Sequence, residues 1–349
     1  MWDLKKITIT HEILNMISKL DEFKGSWHFT TKLSPERLNI LKKVATIESI
    51  GSSTRIEGSQ LSDKEVEKLI CNIKSSSFKS RDEQEVAGYS LVCSEIFQSF
   101  LEIPITESII KQLHGWLLKY SNKDERHRGK YKTLANNVEA FNSQGKSLGI
   151  IFETTSPFDT PFEMKKLIKI LEDNFEDPEI HPLITIGVFV VFFLAIHPFQ
   201  DGNGRLSRVI TNLLLLQKGY SYVPYSSLES IIEKNKEGYY LSLMKTQKSL
   251  KAEEPNFSEW LTFFFKALIK QKEHLEIKLK KENLIKSDNT ATEREILFLL
   301  KDHQIMSINQ IHLSTNINKN TLKKYLSKMV DQNKIKMVGK NKSTKYEMI

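Results

Sequence analysis

The chain has 349 residues, 40% of them hydrophobic and 27% charged. That length predicts two or three domains, and that composition excludes wholesale disorder, a collagen-like repeat and a disulfide mini-scaffold. The net charge of +8 is unevenly placed: residues 290–349 hold 11 Lys+Arg against 5 Asp+Glu, and the first 289 residues hold 40 against 38. A basic tail of this kind admits nucleic acid or another anionic ligand as partner. Cys71 and Cys93 are the only cysteines. They build no disulfide framework, which favours a reducing cytoplasm. No Cys/His spacing suggests zinc. The N-terminus has no signal-peptide core behind it. The most apolar stretch, residues 183–196, is too short for a spanning helix of about 20 residues. A soluble cytoplasmic protein with no membrane contact is expected.

Helical periodicity dominates, so the expected class is mainly α. A helix is predicted over Leu33–Ile50, with Ser34 as cap and Pro35 at its first position. Ser62 and Glu65 have the spacing of a capping box. Further helices are predicted over Glu83–Ser99 and from Thr106 to Leu118. The pattern then breaks into a polar segment, 128–160. There Leu148–Phe152 reads as a strand, and Asn142–Gly145 as the turn before it. A hairpin-like loop inserted into a helical domain is the simplest account. Helices resume at Pro161–Phe175, 183–196, Gly204–Lys218, Leu228–Leu250 and from Phe257 to about Lys286. Ser287–Thr290 is the best domain boundary. The expected division is 1–95, a helical region; 96–286, a core with trailing helices; and 287–349, a small terminal module.

The informative segment is His197-Pro-Phe-Gln-Asp-Gly-Asn-Gly-Arg-Leu-Ser-Arg208. It follows the most buried predicted helix and opens the next. Gly202 and Gly204 allow close backbone approach, and successive N–H groups at a helix N-terminus form a nest for phosphate oxygens. Arg205 and Arg208 are three residues apart, on one face of the new helix, where two guanidiniums grip a polyphosphate. Asp201 is the oxygen ligand that Mg²⁺ needs. His197 is a natural general base. Each residue alone has an ordinary structural explanation. Together they describe one phosphoryl-transfer site.

This segment resembles the signature of Fic-domain proteins, His-Pro-Phe-x-Asp-Gly-Asn-Gly-Arg-x-x-Arg, at every fixed position. The resemblance covers about residues 30–270. It implies a Fic-fold helical bundle with a β-hairpin flap. It also implies a protein adenylyltransferase that moves AMP from ATP, with Mg²⁺, to a Ser, Thr or Tyr hydroxyl of a target protein or of itself. By motif position, His197 deprotonates the hydroxyl and Asp201 holds Mg²⁺. Gly202, Asn203 and Gly204 cradle phosphate, and Arg205 and Arg208 bind the β- and γ-phosphates. Phe199 anchors the loop. Ser53-Thr-Arg-Ile-Glu57-Gly58 resembles the family's inhibitory motif, which implies that Glu57 opposes Arg208. The strand 148–152 resembles the flap that holds the target. After it, Glu153–Pro157 departs from the family's Pro-Pro pair, so the flap bounds stay open. Tyr239-Tyr240 and Gln247 match positions near the adenine, implying that Tyr240 and Gln247 contact ATP. A homodimer stays open as the oligomeric state.

The tail reads as three helices followed by strand, turn and strand: Thr292–Leu300, from Ser307, Asn318–Val330, then Ile335–Val338 and Thr344–Met348. That pattern resembles a winged helix-turn-helix, which leaves DNA, through residues 290–349, or a protein as its partner. Two rival functions remain at this level. One is a DNA-binding regulator whose Fic site senses nucleotide. The other is removal of AMP from a modified protein.

Overall fold

The computed structural model describes residues 4–30, 35–72, 78, 80–136, 138–141, 147–252, 254–288, 291–315, 317–339 and 344–349. The expected cap Ser34, the expected turn 142–145 and residues 289–290 of the expected boundary lie outside them. The chain divides into two units, Met1–His274 and Leu275–Ile349.

The first unit is helical. Its elements are α1 (His11–Thr30), α2 (Pro35–Ile56), α3 (Asp63–Cys71), α4 (Arg81–Ser99), α5 (Glu107–Leu117), α6 (Thr160–Glu176), α7 (Pro182–Ile196), α8 (Asn203–Gln217), α9 (Leu228–Glu233), α10 (Lys236–Ser249) and the start of α11 (Ser258–Asp288). A hairpin of β1 (Val138–Phe141) and β2 (Ser147–Phe152) is inserted between α5 and α6, with Val138 opposite Phe152 and Ala140 opposite Gly149.

Local chemistry explains the helix starts. Ser62 and Glu65 form the reciprocal capping box that their spacing suggests. Thr106 and Ser80 cap α5 and α4. The core is α7, buried from Leu183 to Ile196 and apolar on every side, as a central helix must be. α8 is buried along nearly all its length and returns beside it. α4 packs on α5 so closely that a Cβ at Gly88 would lie 1.9 Å from the Leu117 carbonyl oxygen.

Three elements differ from the sequence expectation. α1 has no counterpart among the expected helices: Thr10 caps it, its Oγ1 accepting from the Ile13 N–H at 3.2 Å, and its apolar positions Ile13, Met16, Leu20 and Phe23 are buried. α2 continues six residues past Ile50 to Ile56. The small residues Gly51 to Thr54 are buried there, and Thr54 Oγ1 donates back to the Ile50 carbonyl at 3.0 Å. The single helix expected over Leu228–Leu250 is broken, because Asn235 leaves helical geometry.

The second unit contains α12 (Ala291–His303), β3 (Ile305–Ser307), α13 (Ile308–Thr315), α14 (Lys319–Asp331), β4 (Ile335–Val338) and β5 (Lys345–Met348). Its sheet is antiparallel in the order β3-β5-β4. Its core includes Ile296, Leu300, Ile311, Leu322, Leu326 and Met329. The three-residue strand β3 has no signal in the sequence beyond its central Met306. Among the described residues, no helix is long and apolar enough to cross a membrane.

Candidate active site

The loop between α7 and α8 carries the site. His197 ends α7 in left-handed geometry (φ 52°), its N–H still bonded to the Phe193 carbonyl. Such a conformation costs a non-glycine residue energy, so the surroundings must hold it. They do so with several ties. Phe199 is fully buried and stacks on His114 with ring centroids 3.8 Å apart. Asn203 closes the loop on itself: its Oδ1 accepts from Phe199 N–H at 2.9 Å, and its Nδ2 donates to the Phe199 carbonyl at 2.7 Å. Asn136 Nδ2 donates to the same carbonyl at 2.6 Å. From α5, His114 Nε2 meets the Asp201 carbonyl at 3.0 Å, while its Nδ1 accepts from Gly129 N–H. That pair of bonds fixes the tautomer with the proton on Nε2. Burial pushes the His114 imidazole down to about 4, so it clamps the loop as a neutral ring.

The charged groups lie around the start of α8. Gly202 is its N-cap, in left-handed geometry (φ 81°). Arg205 is 1% exposed; its Nη2 meets Asp201 Oδ1 and its Nη1 meets Glu85 Oε2, both at 3.2 Å. Arg81 Nη2 reaches Asp201 Oδ2 at 3.2 Å. Burial raises the Asp201 carboxyl, but Arg205, the Gly202 N–H and Arg81 outweigh it and hold the group below the usual range.

One turn along, Arg208 is 3% exposed and faces the end of α2. Its Nε donates to Ser53 Oγ at 2.9 Å, and its Nη2 donates to the Ser53 carbonyl at 2.9 Å and to Glu57 Oε1 at 2.8 Å. Burial opposes the Glu57 charge, but Arg208, by field and hydrogen bond, and Arg205 behind it hold the carboxyl below its ordinary value. The carboxylate lies over the helix start, where a Cβ on Gly204 would clash with Glu57 Oε1. The buried donors Nε of Arg205 and Nη1 of Arg208 have no hydrogen-bond partner, and Arg205 Nη1 has only its 3.2 Å ion pair with Glu85. Unsatisfied buried guanidinium N–H groups are costly, and anion oxygens satisfy them.

His197 Nδ1 meets the Leu194 carbonyl at 3.2 Å. A carbonyl only accepts, so the proton sits on Nδ1 and Nε2 carries a free lone pair. Burial pushes the imidazole down to about 4; the Leu194 bond opposes this and the nearby Lys132 charge adds to it. A neutral ring with a free Nε2 is the form a general base requires.

Residues 104–215 match the Fic/DOC family model. The chain carries a Fic domain. It is 27% identical over 206 residues, 58% of this chain, to the protein adenylyltransferase Fic of Drosophila melanogaster. It is 24% identical over 123 residues, 34% of this chain, to a probable protein adenylyltransferase of Aquifex aeolicus. Each match spans only 38% of the relative's own length. Among solved structures, a Fic family protein from Desulfovibrio desulfuricans superposes with a TM-score of 0.63 at 21% identity, covering 98% of this chain and 97% of that one. A Fic domain containing signalling protein from Bacteroides thetaiotaomicron gives a TM-score of 0.60 at 23% identity, over 77% of this chain and 96% of that one. At these identities the superpositions establish the fold.

The expected adenine-side residues fall on α10, beside the Fic domain. Tyr239 is buried and lines a small cavity with Arg208, Ser207 and Trp260. Tyr240 is 40% exposed and feels the charges of Glu57 and Arg208. Gln247 is buried on the same helix, about two turns further on. Sequence reasoning missed His114, Lys132 and Asn136, which hold the loop, and Arg81 and Glu85, which face Asp201 and Arg205. All lie 60 residues or more before the motif, with no pattern to connect them. Ser53 stands in the inhibitory motif, whose pattern does not mark its hydroxyl and carbonyl as acceptors for Arg208.

Proposed function

We propose that the chain transfers AMP from ATP to a Ser, Thr or Tyr hydroxyl of a target protein or of itself. The observation that carries the reading is the pair of buried guanidiniums of Arg205 and Arg208 at the start of α8, with Nε of Arg205 and Nη1 of Arg208 unpartnered, on the helix that follows the loop opened by a neutral His197 with a free Nε2. Nε2 takes the hydroxyl proton, the oxygen attacks the α-phosphorus, and the bond to the β-phosphate breaks to release pyrophosphate. Arg205 and Arg208 neutralise charge on the β- and γ-phosphates, and the N–H groups at Gly202, Asn203 and Gly204 receive phosphate oxygens. Asp201 is one carboxylate beside this anion site. A single carboxylate with substrate phosphates suits Mg²⁺, which would supply charge neutralisation there. Tyr240 and Gln247 are assigned to the adenine side. The β1–β2 hairpin is assigned to holding the target by strand addition.

In this reading Glu57 is inhibitory. Its carboxylate takes up Arg208 and covers the start of α8 at Gly204, where a γ-phosphate would sit. The names of the relatives, protein adenylyltransferases, support nucleotidyl transfer. The test is mass spectrometry of the purified chain after incubation with ATP and Mg²⁺. A covalent AMP adduct in Glu57→Gly that disappears when His197→Ala is added supports the proposal. No adduct in either variant, with ATP still bound, favours a nucleotide sensor.

A second reading concerns residues 275–349. α14 exposes Lys319, Lys323 and Lys324. We assign this unit to a winged helix-turn-helix whose helix α14 meets DNA phosphates. A salt-dependent shift of duplex DNA by the full chain supports it. No shift at low salt assigns the unit to docking a protein.

A further inference from the structure

Lys132 is a charge that the mechanism above does not use. It is 3% exposed, in the segment between α5 and the hairpin. Burying an ammonium is costly unless each proton finds an acceptor. Here all three do, and none of the acceptors is a carboxylate. Nζ donates to Asn136 Oδ1 at 2.9 Å, to Thr154 Oγ1 at 2.8 Å and to the Ile196 carbonyl at 3.0 Å. Its own N–H donates to the Pro198 carbonyl at 2.9 Å. Burial pushes the ammonium down to about 8.

The acceptors are an unusual set. Asn136 stands two residues before β1, and Thr154 two residues after β2. They also bond to each other, Thr154 Oγ1 to Asn136 Oδ1 at 3.1 Å. Ile196 and Pro198 flank His197 on either side. Asn136 adds a bond to the Phe199 carbonyl at 2.6 Å. One side chain therefore joins the two roots of the hairpin to the backbone that holds His197 in its left-handed conformation.

We infer that Lys132 is a positioning residue for this site: it fixes the His197 backbone and sets the hairpin root against it, while touching neither nucleotide nor target. The inference rests on the transfer reading above. The charges of Lys132, of Glu57 at the end of α2 and of Asp201 in its own loop act on His197. The cation disfavours imidazolium, so its removal raises the affinity of His197 for a proton.

Two readouts in the Glu57→Gly chain decide the matter. Nitrogen NMR follows the titration of His197 without any need for turnover. Auto-labelling by α-labelled ATP follows the rate. Lys132→Met is expected to move the His197 titration upward by about half a pH unit or more and to lower the labelling rate at least tenfold. The affinity for ATP, measured by equilibrium binding, stays within twofold. Thr154→Val, which removes one acceptor and keeps the cation, is expected to slow labelling and leave the titration where it was. An unmoved His197 titration in Lys132→Met, a labelling rate within twofold of the parent, or a loss of ATP binding in step with labelling would each overturn the assignment. If the parent chain itself does not label, the transfer reading falls, and the His197 titration alone decides the role of Lys132.

Discussion

Arg208 bonds to Glu57 at 2.8 Å through Nη2, and to Ser53 through both Nε and Nη2 at 2.9 Å. The guanidinium is thus positioned by Ser53 and neutralised by Glu57, two separable jobs. Removing the carboxylate leaves Arg208 oriented and free for an anion. Glu57→Gly is therefore expected to raise auto-labelling at least tenfold, about 1.4 kcal/mol, without loss of folding. Glu57→Gln keeps the shape and loses the charge, and should fall between the two. Labelling of the three purified chains under one ATP concentration checks the order.

The segment that presents Glu57 is held from outside the site. Arg55 makes a two-point pair with Glu233 of α9, at 2.6 and 3.0 Å, and meets Asp63 at 2.9 Å. These groups are partly exposed, so each contact contributes little alone, roughly 0.2–1 kcal/mol. Arg55→Ala is expected to loosen the hold and raise labelling by a few-fold, less than Glu57→Gly does. Labelling by Arg55→Ala equal to that of wild type would show that packing of α2 alone sets the position of Glu57.

His114→Phe keeps the stack on Phe199 and deletes both ring hydrogen bonds. It leaves the Gly129 N–H and the Asp201 carbonyl unpaired, a cost of about 2–4 kcal/mol. For a unit of this size, Tm should fall by roughly 5–10 °C. Labelling in the Glu57→Gly background should fall with it, because the loop that carries Asp201 loses its clamp. Differential scanning calorimetry and labelling measure the two effects.

His114 and His197 make stability depend on pH. Both are held near 4 in the folded chain, against an ordinary value of 6.5. The unfolded chain takes up these protons first, so stability is complete above about 6.5 and falls as pH drops from 6.5 toward 4. Each site contributes up to roughly 3 kcal/mol to that slope. Glu57, held below its ordinary value, adds a loss of the same sign at lower pH. Tm measured between pH 7 and 4.5 is expected to fall, and to fall less steeply in His114→Phe. A flat Tm over that range would contradict the neutral, buried assignment.

The legible part of the fold was the part with local signals. Ser62 and Glu65 announced α3, and the unbroken apolar run announced α7. The motif from His197 to Arg208 announced the site, because its chemistry is packed into one loop and one helix turn. What stayed hidden depends on contacts far apart in sequence. Lys132, Asn136 and His114 are an unremarked lysine, asparagine and histidine until folding brings them to residues 196–201. Asn235 breaks an expected helix because of its local backbone geometry, which periodicity does not encode. The motif assigns Asn203 to a phosphate cradle; its side chain is spent tying Phe199, which leaves its backbone N–H for that role.

The most direct test of the account compares two labels of ATP. The Glu57→Gly chain is incubated with Mg²⁺ and ATP carrying label on either the α- or the γ-phosphate. The account predicts covalent label from the α-phosphate only, lost when His197→Ala is added and weaker by at least tenfold in wild type. Label from the γ-phosphate, or equal α-label in wild type and Glu57→Gly, would contradict it.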